Sequence, residues 1–331
     1  MISLGIESTA HTFGVGIVSK KEVLVNVKDS YTTEKGGMIP MEVGRHHERV
    51  KDKVIRKALE EFEIKNGGKK IDLIVYSRGP GIGPSLHVGK NTAKELASKL
   101  GVPFIGVNHC VAHLSVGSLV TNVKDPVLLY ASGANTQVIA YEGGKYRVFG
   151  ETLDQGIGNF IDAFARYIGL GFPGGPLIEQ LAKKSKSYIE LPYSVKGMDI
   201  SLSGILTNLK NKFDSGKFKV EDLAYSLQET AFAMLIEVSE RAMAHCGKKE
   251  LLLGGGVACN LRLKEMAEIM CKERKAKCFI PPNSLLVDNG AMIAYQGIIE
   301  HDAGREEKDF EIKPYERTDD VDVFWKQSSH Y

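Results

Sequence analysis

Val127-Leu128-Leu129-Tyr130-Ala131-Ser132-Gly133-Ala134-Asn135-Thr136-Gln137-Val138-Ile139-Ala140-Tyr141 reads as a strand, a small polar turn ending in Thr, and a second strand. Glu142-Gly143-Gly144-Lys145 then turns the chain into a third strand, Tyr146 to Gly150. The chain opens with the same pattern. Ile2, Leu4 and Ile6 alternate, Ser8 to Thr12 turns, Phe13 to Val18 resumes, and Val23 to Val27 makes a third strand. Two unrelated hairpins would give this locally, but an internal repeat predicts two similar α/β lobes facing each other. Turns rich in Ser, Thr and Gly that face across a cleft offer backbone N–H groups and hydroxyls to phosphate oxygens.

The segments between follow an α/β rhythm. Met41 to Phe62 reads as a helix with Val50, Val54, Ala58 and Phe62 on its apolar stripe. Its other faces carry Arg45, Arg49, Lys51, Lys53, Arg56 and Lys57, a run usually explained as a solvated surface. Ile71 to Tyr76 reads as a strand, Gly79 to Pro84 as a rigid turn, Val88 to Leu100 as a helix, and Phe104 to Val107 as a strand. Downstream, Leu251-Leu252-Leu253-Gly254-Gly255-Gly256 runs from an apolar strand into glycines, and a helix starts near Asn260. Neither a Walker loop nor the Gly-x-Gly-x-x-Gly fingerprint is present, so a tight strand–helix turn explains the triplet as well as a ligand contact does. If the glycines do admit a flat ligand, the Asn260 amide is placed to hydrogen-bond its ribose or base.

Asn108-His109-Cys110-Val111-Ala112-His113 opens the helix after the Phe104 strand. One turn apart, His109 and His113 project from the same face and can share an ion. Two solvated or core histidines are the plain alternative. Asp288, in the loop Pro281 to Gly290, is a candidate carboxylate to complete the set. Two imidazoles and a carboxylate suit zinc or ferrous iron and leave positions open for substrate. Cys110 stands where a His-Glu-x-x-His protease keeps its general base, so a peptidase is disfavoured. Cys110 itself faces away from the histidine pair and reads as a small core residue.

Composition sets outer bounds. The chain has 331 residues, 43% of them apolar, enough for two lobes and a sizeable core. The net charge of +2 gives no global footprint for nucleic acid, so any such binding needs a local patch or partner proteins. Five scattered cysteines without Cys-x-x-Cys fit reduced thiols. No basic-apolar leader opens the chain, and no run approaches the ~18 apolar residues of a membrane span. A cytoplasmic location without membrane contact is the expectation.

Seven segments taken together resemble one family. They are Gly5-Ile6-Glu7-Ser8-Thr9-Ala10-His11-Thr12, Ile39-Pro40 with Arg45-His46-His47, Asn108-His109 to His113, Tyr130 to Ala134, Phe172-Pro173-Gly174-Gly175-Pro176, Gly254 to Asn260, and Asp288-Asn289-Gly290. In order and spacing they resemble the tRNA threonylcarbamoyladenosine synthases over nearly the whole chain. Tyr130 and the ending Glu316 to Val323 are similar to the archaeal and eukaryotic branch, the catalytic subunit of the KEOPS complex.

The resemblance implies an actin-like, duplicated two-lobe fold of the sugar-kinase and heat-shock ATPase class. The expected division is residues 1–125 plus about 293–331 in the first lobe, with a helical insertion near 38–65, and 126–292 in the second. It implies an acyltransferase that moves threonylcarbamoyl from threonylcarbamoyl-adenylate to the adenosine 3′ of the anticodon, position 37, in tRNAs reading ANN codons. It implies one iron or zinc ion on His109, His113, Tyr130 and Asp288. ATP or the adenylate would lie along Tyr130, Ala131, Ser132, Gly133, Ala134, Asp162, Gly175, Glu179 and Asn260. His11 is a candidate proton acceptor, as is an oxygen of the leaving phosphate. The implied partners are a tRNA anticodon stem-loop, a small Bud32-type kinase and small KEOPS subunits. The alternatives are a nucleotide-regulated actin-like scaffold and a small-molecule kinase or O-carbamoyltransferase on the same fold.

Overall fold

The structure, a computed structural model, describes residues 1–33, 38–66, 68–305 and 310–329. Residues 306–309 and 330–331, part of the C-terminal segment expected in the first lobe, lie outside the described residues.

The repeat is built as two sheets of the same design. In the first, β1 (Ile2–Glu7), β2 (Thr12–Ser19) and β3 (Val23–Ser30) form an antiparallel meander. After α1 (Pro40–Asn66), β4 (Leu73–Gly79) joins β1 in parallel. After α2 (Gly83–Leu100), β5 (Phe104–Asn108) joins β4, and α3 (His109–Val120) follows. The order is β3-β2-β1-β4-β5. In the second, β6 (Val127–Ala131), β7 (Thr136–Glu142) and β8 (Lys145–Glu151) repeat the meander.

A helical stretch then intervenes. It holds α4 (Ile157–Tyr167), α5 (Gly175–Ala182), a small hairpin of β9 (Val195–Lys196) and β10 (Asp199–Ile200), α6 (Ser203–Asp214) and α7 (Val220–His245). β11 (Glu250–Gly254) joins β6 in parallel, and β12 (Lys277–Phe279) joins β11 across α8 (Leu261–Glu273). The order β12-β11-β6-β7-β8 repeats the first sheet's plan. α9 (Asn283–Leu286) and α10 (Gly290–Asp302) follow.

Periodicity located the elements, and flanking chemistry moved their ends. α2 begins at Gly83, ahead of the expected Val88, because Pro84 in the first turn lacks only an N–H that would have no intrahelical acceptor there. α1 runs past Phe62 to Asn66.

α10 packs on the first sheet backbone against backbone, with Ala291 to Ala294 in one cluster with Val18, Leu73 and Val75. A Cβ on Gly16 would lie 2.1 Å from Ala291 N, and one on Gly290 would lie 2.2 Å from Gly16 N. Only glycine allows this approach, which seats the start of α10 on β2 and fixes the loop carrying Asp288. On the other side, α3 places Cys110, Val111 and Leu114 in one cluster with Leu128, Tyr130 and Leu252 of the second sheet. Val321 and Val323 of the C-terminal segment close that cluster, with Trp325 against Tyr146.

Candidate functional site

α3 starts where it does because Asn108 caps it. Its Oδ1 accepts from Cys110 N at 2.9 Å and Val111 N at 3.1 Å. The next residue, His109, therefore stands in the first turn, and His113 lies one turn on with ring centroids 4.9 Å apart. Asp288 comes from the other direction. Asn289 caps α10 by accepting from Met292 N at 3.0 Å and donates to Val287 O at 2.8 Å, fixing the loop around Asp288.

The donor atoms of His109, His113 and Asp288 all lie within 4.8 Å of one another. His109 Nε2 and His113 Nε2 are each 3.4 Å from Asp288 Oδ1. That spacing is long for a good hydrogen bond. It matches the edge of a tetrahedral site, about 3.4 Å for bonds of about 2.1 Å. His113 Nδ1 is buried and has no partner among the described residues. A buried imidazole held only by a 3.4 Å contact lacks what a cation on Nε2 would supply, so these residues fit a zinc- or iron-like ion. The Tyr130 hydroxyl is 3.0 Å from His109 Nε2, close enough to join the group.

Charges are balanced tightly here. Burial opposes a proton on His109, but Glu7 and Asp288 outweigh it and raise its pKa to about 9. Burial lowers the pKa of His113, and the opposing pull of Asp288 does not overcome it. Burial disfavours the Asp288 carboxylate, but the histidines around it, His109 foremost, hold its pKa well below the usual range. Burial drives the Tyr130 pKa well up.

His109, Tyr130 and Asp288 line a cleft of about 700 Å³ between the sheets, room for a nucleotide, with His113 buried behind them. His11, Tyr130, Ser132, Gly133, Ala134, Asp162, Gly175, Glu179 and Asn260 line the same cleft. Ala131 does not. It lies buried behind the wall, with its carbonyl 2.4 Å from where a Gly255 Cβ would be. The Ser132–Asn135 turn is braced by the start of α4, where Gly158 N donates to Ser132 O at 3.0 Å and Asn159 N to Gly133 O at 2.9 Å. The Gly133 and Ala134 amides have no backbone acceptor among the described residues.

Asp162 Oδ1 accepts from Gly174 N at 2.7 Å, holding the glycine turn before α5, and burial raises its pKa. Glu179 Oε1 pairs with Lys183 at 2.9 Å and approaches Leu261 N at 3.4 Å. Asn260 is first a cap: its Oδ1 accepts from Arg262 N at 2.8 Å and Leu263 N at 3.3 Å, and its Nδ2 donates to Gln228 Oε1 at 2.5 Å. One N–H of that amide is left for a ligand.

Sequence reasoning assigned no role to Glu7, Lys28, Gln228 or Glu316, which all bear on the cleft. Glu7 carried a signal, an acid inside an otherwise apolar alternating strand. Glu316 pairs with Arg78 at 2.8 Å and accepts from Asn108 Nδ2 at 3.0 Å, tying the C-terminal segment to the α3 cap.

The model of the family described as "TsaD: tRNA N6-adenosine threonylcarbamoyltransferase" matches residues 22–295. A Thermococcus kodakarensis protein named tRNA N6-adenosine threonylcarbamoyltransferase is 57% identical over 98% of this chain and all of its own length. A Methanocaldococcus jannaschii protein named probable bifunctional tRNA threonylcarbamoyladenosine biosynthesis protein is 51% identical over 98% of this chain and 60% of its own length. Among solved structures, full-length HypF in its phosphate- and nucleotide-bound form superposes with a TM-score of 0.60 over 90% of this chain and 55% of its own. At 12% identity it shows a shared two-lobed fold. Among the described residues, no helix is long and apolar enough to cross a membrane.

Proposed function

We infer from its membership that this chain, which belongs to the TsaD family of tRNA N6-adenosine threonylcarbamoyltransferases, transfers threonylcarbamoyl from threonylcarbamoyl-adenylate to the exocyclic amine of adenosine 37 in tRNAs reading ANN codons. The carrying observation is the convergence of His109, His113 and Asp288, with His109 and Asp288 in the wall of the cleft that Gly133 and Ala134 also line. A scaffold or a simple kinase has no need of that pair of buried imidazoles.

The chemistry explains the arrangement. The amine is a weak nucleophile because its lone pair is delocalised into the purine. The donor is a carbamoyl–phosphate anhydride. Nitrogen attacks the carbamoyl carbon, the C–O bond to phosphate breaks, AMP leaves, and the proton from nitrogen passes to a leaving-phosphate oxygen or to His11. The Gly133 and Ala134 amides would hold that phosphate as its charge grows. Glu179 and the free N–H of Asn260 would take the ribose and base, and Asp162, which holds Gly174 N, would keep the Gly174–Gly175 turn against the sugar. His109, His113, Asp288 and Tyr130 would hold one divalent ion, iron or zinc, whose Lewis acidity lowers the barrier to leaving-group departure.

tRNA capture is shared, in this reading, with a kinase subunit and small KEOPS-type subunits, and α1 is the docking surface for a small dimerising subunit. The test is incubation with synthetic threonylcarbamoyl-adenylate and unmodified tRNA, alone and with partner proteins, followed by nucleoside mass spectrometry. Threonylcarbamoyladenosine should appear, and His109→Ala with His113→Ala should abolish it. No modified nucleoside from the complete assembly would overturn the reading.

A further inference from the structure

The donor carries two anionic groups, the phosphate and the carboxylate of its threonyl part. The turn amides of Gly133 and Ala134 would provide for one. Among the described residues, Lys28 and Arg317 are the Lys and Arg side chains that line the cleft. Arg317 is already paired, with Asp319 at 3.0 Å and Glu151 at 3.4 Å. Lys28 has no ion pair among the described residues, so among them it is the uncommitted cation of the cleft wall.

Its direction follows from strand register. Lys28 of β3 stands opposite Gly14 of β2. Residues opposite each other on an antiparallel pair project to the same face. Asn26, two residues earlier and on that face, donates from Nδ2 to Ser284 O at 3.1 Å, so the face turns toward the loop that carries Asp288. Gly14 has no side chain, and a Cβ there would lie 3.1 Å from Gly290 N and 3.5 Å from Asn289 Cα. The Lys28 stem therefore runs beside this loop into the cleft. Lys28 shares the cleft wall with Asp288 and with Gly256, Val257 and Cys259, and partial burial lowers its pKa while Asp288 and Cys259 act in the opposite sense. An ion on Asp288 would take up that carboxylate's charge and leave Lys28 without a counter-charge.

We propose that the ammonium of Lys28 receives the carboxylate of the donor's threonyl group, anchoring the acyl end of the molecule while the turn amides hold the phosphate. This rests on the cleft being the donor site. A lysine suits the task, because a compact point charge on a flexible stem pairs with a carboxylate without demanding a fixed fork.

The test uses the full chain as wild type, Lys28→Met and Lys28→Arg. Calorimetric Kd values are taken for a non-hydrolysable threonylcarbamoyl-adenylate analogue, for the same analogue with its carboxylate converted to a carboxamide, and for AMP. tRNA binding is measured in parallel, and melting curves verify folding. Lys28→Met should weaken the carboxylate analogue about tenfold or more and leave the carboxamide and AMP within about twofold. Lys28→Arg should keep most of the affinity. Equal weakening of all three ligands would mean that Lys28 serves the phosphate, and would overturn the proposal. So would loss of tRNA binding with donor binding intact, or no change in any arm. Failure of the wild type to bind the donor would sink the reading of the cleft itself. Wild-type binding that Lys28→Met leaves unaltered would sink only the role of Lys28.

Discussion

Glu7 Oε2 stands 2.9 Å from His109 Nδ1, and Glu7 is wholly buried. Thr9 N donates to the other Glu7 oxygen at 2.7 Å, so the carboxylate is fixed and the imidazole with it. This orients His109 Nε2 toward Asp288 and Tyr130. A carboxylate behind a ligating histidine sets its tautomer and raises its basicity. Glu7→Gln keeps the shape and removes the charge. Its affinity for zinc or ferrous iron, measured by chelator competition, should fall about 10–100-fold. An unchanged affinity would show that Glu7 is only structural.

His47 is buried between Phe13 and His46, and neither ring nitrogen makes a well-formed hydrogen bond among the described residues, the backbone of Ala10 only opposing the effect of burial in part. Burial, with smaller contributions from His46 and His11, lowers its pKa from 6.5 to about 4. Asp29, beside His46, is the nearby acid. Above pH 6.5 the folded and unfolded chains both hold His47 neutral. Between pH 6.5 and 4 only the unfolded chain takes up the proton, so stability is lost as pH falls through that window. The loss from this group should reach about 2 kcal/mol by pH 5. Denaturant unfolding at pH 7 and pH 5 should show a drop larger by about that amount in wild type than in His47→Phe. Equal drops would mean that His47 is reached by water before unfolding.

The two-lobed plan was legible because each meander announces itself locally: alternation in Ile2, Leu4 and Ile6, and again in Val127 to Ala131, with a Ser/Thr/Gly turn after each. The His109–His113 pair was legible because helical spacing alone puts both rings on one face. Asp288 could be offered only as a candidate. What brings it there is the packing of Gly290 on Gly16, a contact between residues far apart in the chain that leaves no local pattern. Lys28 was unreadable for the same reason, since its direction depends on a glycine across the sheet and a loop from the other end of the chain. Asn260 was legible as a cleft residue but not as a cap, because the sequence does not say which of its atoms faces the helix and which the ligand.

That double duty of Asn260 can be separated. Asn260→Ala removes the α8 cap as well as the amide, and should lower stability by about 1 kcal/mol. Asn260→Asp keeps an oxygen acceptor for Arg262 N and Leu263 N but has no N–H to offer Gln228 or a ligand. Both variants should weaken adenylate binding, by about 1–3 kcal/mol where the lost hydrogen bond is buried. Only the Ala variant should unfold at lower denaturant concentration through loss of the cap. If Asn260→Asp bound AMP as tightly as wild type, the amide would have no place in the nucleotide site.

A net charge of +2 is too small for tight capture of an anticodon stem-loop through phosphate contacts alone. α1 presents one row of exposed cations: Arg49, Lys53, Arg56 and Lys57 face solvent, and Met41 and Ile64 are exposed near its two ends. A helix with apolar exposure at both ends and cations between suits a protein partner along its length and an RNA backbone beside it. Reversing charge at Arg49, Lys53 and Arg56 together should weaken binding of tRNA or of the small subunit, read by filter binding and by size-exclusion chromatography. It should leave ATP and metal affinities unaltered, because none of the three lines the cleft. tRNA affinity should fall with rising salt in the wild type and less steeply in the variant, since fewer counterions are released. The isolated chain should modify tRNA very slowly and accelerate when the partner subunits are added. If it worked as fast alone as in the assembly, shared capture of the tRNA would be wrong.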